Sequence, residues 1–323
     1  MEWSSVSYEE FRVMARIQTS EETDLAAVRD RVLKLHQSGK IHTASTVPLE
    51  SPEDLHDIYT PGVALVCRAI HDDSEMAHTY TNIPSTVAIV TNGTAILGLG
   101  DIGPVAGMPV MEGKAVLFEK LVGISGVPIL VDSHDPQVVI ETVAAIAPTF
   151  GAIQLEDIRA PECFVIEEEL QRRLPIPVMH DDQHGTAVVV LAALINACLF
   201  ARRDVRRGQV IMALSNPDPE IEPELALAAG ARFAADGAAV NNVLGFPGLF
   251  KGALLAGART ITPLMRIAAA EAIACSAKNG ELVPCPLDPA VHRAVVRAVL
   301  YMVDIKRQIS RTFGRVTEVN GRI

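Results

Sequence analysis

Ala152-Ile153-Gln154-Leu155-Glu156-Asp157 and Pro177-Val178-Met179-His180-Asp181-Asp182-Gln183-His184-Gly185-Thr186 share one arrangement: a short, mostly apolar run that ends in adjacent carboxylates. Short apolar runs of this kind read as strands buried on both faces. Between them Pro161–Leu174 has helical spacing with proline in its first turn, and Thr186–Leu199 reads as the next helix. Upstream, Val127–Val131 is another such strand; it runs into Asp132-Ser133-His134-Asp135 and a helix over Pro136–Ile146. The order β-α-β-α-β-α predicts an α/β fold, a parallel sheet with flanking helices.

In open α/β sheets, ligands bind beyond the carboxyl ends of the strands. Glu156, Asp157, Asp181 and Asp182 fall there. Carboxylates on neighbouring strand ends can converge without being contiguous, and such hard oxygen donors suit Mg²⁺ or Mn²⁺. Helix capping is the competing explanation, because aspartate is favoured at helix N-termini. Paired acids on each of two strands exceed what caps need, and close acids repel unless something positive sits among them. His180 and His184 raise zinc, but no third nitrogen or sulfur ligand has recognisable spacing.

Outside this block, residues 8–37 read as one or two helices and residues 40–60 as irregular chain, with a helix over Val63–Ile70 and a strand over Thr86–Val90. Asn92 to Gly113 is rich in glycine and proline. Within it Gly98-Leu99-Gly100-Asp101-Ile102-Gly103 matches G-x-G-x-x-G, a fingerprint that requires a helix opening through it. Pro104, Gly107 and Pro109 predict that no helix follows, so the glycines read as a loop and not as a nicotinamide site. After a basic break at Arg202–Gly208 the pattern gives a strand (Val210–Leu214), a helix (Pro219–Ala229), a further short strand (Ala231–Ala234), and mostly helix from Gly245 to Arg307. We divide the chain at 1–39, 40–204 and 205–323.

The chain has 323 residues, 49% apolar and 21% charged, which is ordinary for a globular protein. Its net charge of −11 argues against nucleic acid or an anionic membrane as partner. A small anionic ligand stays open, since a bound metal reverses the local field. The longest apolar run, Ala187–Ile195, is shorter than a membrane span needs. Five scattered cysteines without a CxxC pair point to a reducing compartment, and we expect the cytoplasm.

Several stretches taken together closely resemble bacterial malic enzymes. They are Tyr59-Thr60-Pro61-Gly62-Val63-Ala64, Ala95–Gly103, Glu112-Gly113-Lys114, Leu155-Glu156-Asp157-Ile158, His180–Thr186, Ser215-Asn216-Pro217 and Asn241–Gly248. The likeness runs from about Lys40 to about Ser276. It implies that Glu156, Asp157 and Asp182 hold the divalent metal, that Tyr59 and Lys114 are catalytic with Asp181 beside the lysine, and that Asn216 and Asn242 face the substrate. It also implies a homodimer. Two departures stand out. Asn92 replaces the family's usual aspartate. After the helix that follows His180–Thr186, only roughly ten residues precede the strand leading to Ser215-Asn216-Pro217, whereas the family has a complete dinucleotide-binding domain there. Ten residues cannot hold a βαβ unit of ~30.

From that loss we expect no NAD(P) and no hydride step, leaving metal-dependent lyase chemistry on a 2-oxo dicarboxylic acid, by decarboxylation or through an enolate. Lys114, with a depressed pKa, would act as base, and Tyr59 would protonate carbon. Two alternatives stand beside this: a non-catalytic paralogue that binds a C4 acid or a partner enzyme, and a decarboxylating malate dehydrogenase with unusual cofactor binding.

Overall fold

The computed structural model describes residues 25–96, 98–200, 210–214, 221, 223–230, 233–236, 241–278 and 281–320. The N-terminal part of the helical stretch expected over residues 8–37 lies outside them. The described chain begins with α1 (Leu25–His36), α2 (Pro52–Ile58), α3 (Val63–Asp72) and a single turn, α4 (Ala77–Tyr80). The helix α2 was not expected. Its start is encoded by Ser51, whose side chain accepts from Asp54 N–H while Asp54 accepts from the Ser51 amide, a reciprocal cap. None of α2, α3 or α4 contains a buried residue.

The sheet begins at β1 (Thr86–Thr91), followed by α5 (Pro104–Val122), β2 (Ser125–Leu130), α6 (Pro136–Ile146), β3 (Ala152–Leu155), α7 (Glu162–Arg173), β4 (Val178–His180) and α8 (Asp181–Phe200). All its strand pairs are parallel, in the order β2-β1-β3-β4. The α/β expectation therefore holds. The helix α5 corrects the loop expected beyond Gly103. Pro104 occupies its first turn, where a missing N–H is harmless, and Pro109 is accommodated inside it. Gly103 (φ +81°) and Gly93 (φ +71°) turn the chain between β1 and α5, and a side chain at Gly93 would collide with the Gly103 carbonyl carbon at 2.1 Å. Eleven residues, 92–102, separate β1 from Gly103, so this is no tight strand-to-helix turn over a phosphate.

Each face of the sheet is covered. One buries Ala88, Val90, Ile153, Leu155 and Val178 against Val139, Val143, Ile166 and Leu170 of α6 and α7. The other packs Val87, Ile89, Ala152 and Met179 against α5, α8 and the C-terminal helices α10 (Phe246–Leu255), α11 (Pro263–Ser276) and α12 (Pro289–Asn320). By length and composition α8 could cross a bilayer. It opens with two aspartates, however, and its Val188, Val189, Ala192 and Ala193 sit in that core. Asn196 ties it to α11 and to the chain beyond it by donating to the Ala274 and Leu282 carbonyls.

Between α8 and α10 the described residues form a small parallel pair, β5 (Val210–Ala213) with β6 (Phe233–Asp236), with the helix α9 (Pro223–Ala228) between them in the chain. The pair falls in the segment where the sequence predicts a shortened strand–helix–strand unit.

Candidate active site

The strand order β2-β1-β3-β4 reverses direction between β1 and β3, and ligand crevices open beyond the carboxyl ends of strands at such points. There β3 delivers Glu156 and Asp157, and β4 delivers Asp181 and Asp182 as the first turn of α8. That helix starts five residues earlier than expected, at Asp181 rather than Thr186, because Gln183 and His184 continue the turn without a break.

Lys114 reaches this cluster from the middle of α5. Its Nζ lies 2.5 Å from Asp181 Oδ2 and 2.9 Å from Glu156 Oε1, and all three side chains are buried. The Phe246 ring covers it, 4.6 Å from Nζ to the centroid, a favourable cation–π distance. Burial alone would lower the lysine pKa. Asp181 and Glu156 outweigh burial and hold it above the ordinary lysine value, opposite to the depressed pKa expected from sequence. Burial raises Asp181 to about 6 and Glu156 well above its usual range; Lys114 opposes both shifts, while Asp182 adds to both and Asp181 and Asp157 also raise Glu156.

Asp157 sits at φ +53°, an uncommon conformation for a residue with a side chain. Its N–H donates to Asp182 Oδ2 at 2.8 Å and its carbonyl accepts from Ala95 N–H at 3.0 Å, so both sides of the peptide are held. One oxygen each from Glu156, Asp157 and Asp182 lies within 4.8 Å of the others. Twice a Mg–O distance is about 4.2 Å, so the trio matches one hard cation in size, charge and donor type. Four carboxylates around one ammonium also leave an excess of negative charge that a divalent cation would offset.

The structure thus brings Lys114, Glu156, Asp157, Asp181 and Asp182 together. Tyr59 does not join them: it caps α2, is 67% exposed, and its hydroxyl makes no hydrogen bond among the described residues. Asn216 lies outside the described residues. Asn242 is half-buried and opens a 3-10 turn, Asn242–Leu244; a side chain on the following Gly245 would come within 3.3 Å of the Gly185 carbonyl at the head of α8. Sequence reasoning missed the roles of Phe246 and of two buried polar residues, Gln154 and Glu167. Gln154 Nε2 donates to Glu156 Oε2 at 2.6 Å, and Glu167 Oε1 accepts the His180 N–H at 2.9 Å. A glutamine within an otherwise apolar strand was the available signal. His184 contacts Glu167 on one side and the Arg266 guanidinium on the other.

Residues 38–171 match the family described as "Malic enzyme, N-terminal domain". The "NAD-dependent malic enzyme 1" of Bacillus subtilis is 47% identical, covering 89% of this chain and 83% of that protein. The "NADP-dependent malic enzyme" of Escherichia coli is 50% identical over 175 residues, 54% of this chain and 23% of that protein. The crystal structure of the malic enzyme of Pyrococcus horikoshii superposes with a TM-score of 0.81 at 34% identity, covering 86% of this chain and 91% of that one. The Bacillus alignment runs over 366 positions, more than the 323 residues available here, so that relative carries a stretch without a counterpart. Both relatives are named for NAD- or NADP-dependent chemistry. This overturns the NAD-independent lyase expected above, which rested on the shortened segment alone. The likeness extends through both the sheet domain and the C-terminal helices, and the chain belongs to the malic enzyme family.

Proposed function

We propose that this chain is a divalent-metal-dependent enzyme acting on malate by oxidative decarboxylation, with a nicotinamide dinucleotide as hydride acceptor. The observation that carries this reading is the buried Lys114–Asp181–Glu156 group set against the Glu156, Asp157, Asp182 oxygen trio. Glu156, Asp157 and Asp182 would hold Mg²⁺ or Mn²⁺. When bound, such a cation polarises a carboxylate and the adjacent 2-oxygen as a Lewis acid.

The chain's own groups define the rest. Lys114 holds a proton on Nζ, clamped toward Asp181 and shielded by Phe246. Asp181 keeps that amine at one place and supports its charge; it would hold the lysine ready to exchange a proton with the substrate's 2-oxygen. Burial of the group excludes water from the exchange. Tyr59, which stands apart from the cluster within one copy, is proposed as the proton donor to carbon only as part of a dimer. Its exposure, and that of Leu49, Leu55 and Leu65 on the same stretch of chain, supports a homodimer in which a second copy covers α2 and α3. The five unpaired cysteines support a cytoplasmic setting.

A second reading is favoured by one observation, that the described residues between α8 and α10 form a single parallel strand pair, β5–β6: the chain would bind the C4 acid and metal without oxidising it. Malate with Mn²⁺ and NAD⁺ or NADP⁺ separates the two. Nicotinamide reduction at 340 nm that disappears in Lys114→Ala supports the enzyme. Thermal stabilisation by malate and Mn²⁺ without reduction supports the second reading, and absence of both defeats each.

A further inference from the structure

We propose that Gln154 and His180 are positioning residues of the cation site, Gln154 setting Glu156 from one face of the sheet and His180 setting Asp182 from the other. This rests on the cation reading above and extends it to residues that it does not use.

Gln154 is fully buried in β3, in register with Ile89 of β1 and Met179 of β4. Both neighbours belong to the core under α5, α8 and α10. An apolar side chain would pack there without an unmatched amide, and Gln154 Oε1 has no hydrogen-bond partner. The one hydrogen bond of this side chain is from Nε2 to Glu156 Oε2 at 2.6 Å, while Lys114 takes Oε1 at 2.9 Å. Glu156 is therefore held at both oxygens, and each oxygen keeps a second lone pair for a cation.

His180 ends β4 in register with Leu155, whose side chain belongs to the opposite core, under α6 and α7. It is buried, and among the described residues its ring makes no close hydrogen bond to another side chain; its polar neighbours are the Ile158 backbone and the Asp182 carboxylate. Its Nε2 lies 3.6 Å from Asp182 Oδ2. Its main chain is fixed, because Glu167 Oε1 accepts the His180 N–H; Glu167 is buried in turn and held by Gln171 and His184. An imidazole anchored this way and set beside the Asp182 carboxylate lies next to the oxygen trio without being one of its members. Carboxylate ligands are commonly oriented by such outer groups, and removing one lowers metal affinity roughly 10–100-fold.

The test uses the intact chain and Mn²⁺ alone, with free Mn²⁺ counted by electron paramagnetic resonance and apo stability measured by calorimetry. Gln154→Met and His180→Phe keep volume and remove the polar atoms. Each is expected to weaken Mn²⁺ binding by about 10–100-fold, and His180→Gln, which retains a donor, to recover most of that loss. Should His180→Phe fail to fold, Gln154→Met and His180→Gln against His180→Leu still decide. If the apolar variants lose apo stability but bind Mn²⁺ as the wild type does, while Asp182→Asn does not bind, the positioning role is overturned and the cation site stands. If wild type and Asp182→Asn bind alike, the cation reading itself fails, and this inference with it.

Discussion

A methyl group on Gly185 would stand 1.8 Å from Asp181 Oδ1. The Asp181 side chain folds back over the first turn of α8 into space that only glycine leaves, and this places Oδ2 2.5 Å from Lys114 Nζ. Gly185→Ala is therefore expected to push Asp181 off the lysine. Alanine favours a helix by about 1 kcal/mol over glycine, so the helix itself should survive. The expected outcome is a kcat for malate-dependent nicotinamide reduction lower by roughly 10²–10⁴-fold with folded content unchanged by circular dichroism. Wild-type turnover in Gly185→Ala would remove Asp181 from the mechanism.

Lys114 is the buried cation between Asp181 and Glu156. Removing it leaves two buried acids facing one another. Breaking a buried pair from one side is destabilising by roughly 3–5 kcal/mol, less whatever the acids regain by taking up protons. Lys114→Ala should lower the metal-free melting temperature, and the loss should be larger at pH 8 than at pH 5, where the acids can protonate. Calorimetry at the two pH values checks this; an equal loss at both would contradict it.

On the far side of the core, α10 crosses α12 at two glycines. A methyl group on Gly252 would lie 2.7 Å from Val299 Cβ, and one on Gly248 2.7 Å from Val295 Cβ. Both valines are fully buried, so neither can yield. Gly252→Ala is expected to destabilise by about 1–3 kcal/mol through overpacking, in spite of the better helix former. Adding Val299→Ala should return part of the loss, a negative coupling measurable by denaturant titration of the double-mutant cycle.

The Asn196 amide donates to two carbonyls, of Ala274 at 3.0 Å and Leu282 at 2.9 Å. Asn196→Leu has similar volume and leaves both acceptors without this donor in a buried site, a loss of roughly 1–3 kcal/mol for each. A midpoint within error of wild type in urea would show that other donors replace it.

His292 in α12 is buried, with Nε2 2.7 Å from the Pro286 carbonyl and Nδ1 unpartnered. Burial depresses its pKa below the ordinary histidine value. The folded state thus favours neutral imidazole, and the unfolded chain binds more protons as pH falls below about 6.5. The stability from this group is full above that pH and is lost as pH falls through the depressed value. His292→Gln should be less stable than wild type at pH 7.5 and show a smaller drop in melting temperature between pH 7.5 and pH 5.

Much of the site was legible because its residues lie in short contiguous runs. Leu155-Glu156-Asp157 and His180-Asp181-Asp182 each join a buried strand to its carboxyl-end acids, and strand order alone puts those ends side by side. Lys114 was legible only through the resemblance, since an isolated lysine is ordinarily exposed. The helix Pro104–Val122 was misread because two prolines and two glycines lower local helix propensity, whereas Met111, Ala115 and Phe118 are buried in the core and stabilise it from outside.

The sequence by itself determined the alternation of strand and helix, the family, and the carboxylates available for a cation, since periodicity and motif order are properties of the chain. Only the tertiary structure decided that Asp181 and Glu156 share one lysine, that their fields outweigh its burial, and that Gln154 and His180 approach from opposite faces. Those facts depend on distances between residues far apart in the chain, where Coulomb energy and desolvation vary over a few ångströms.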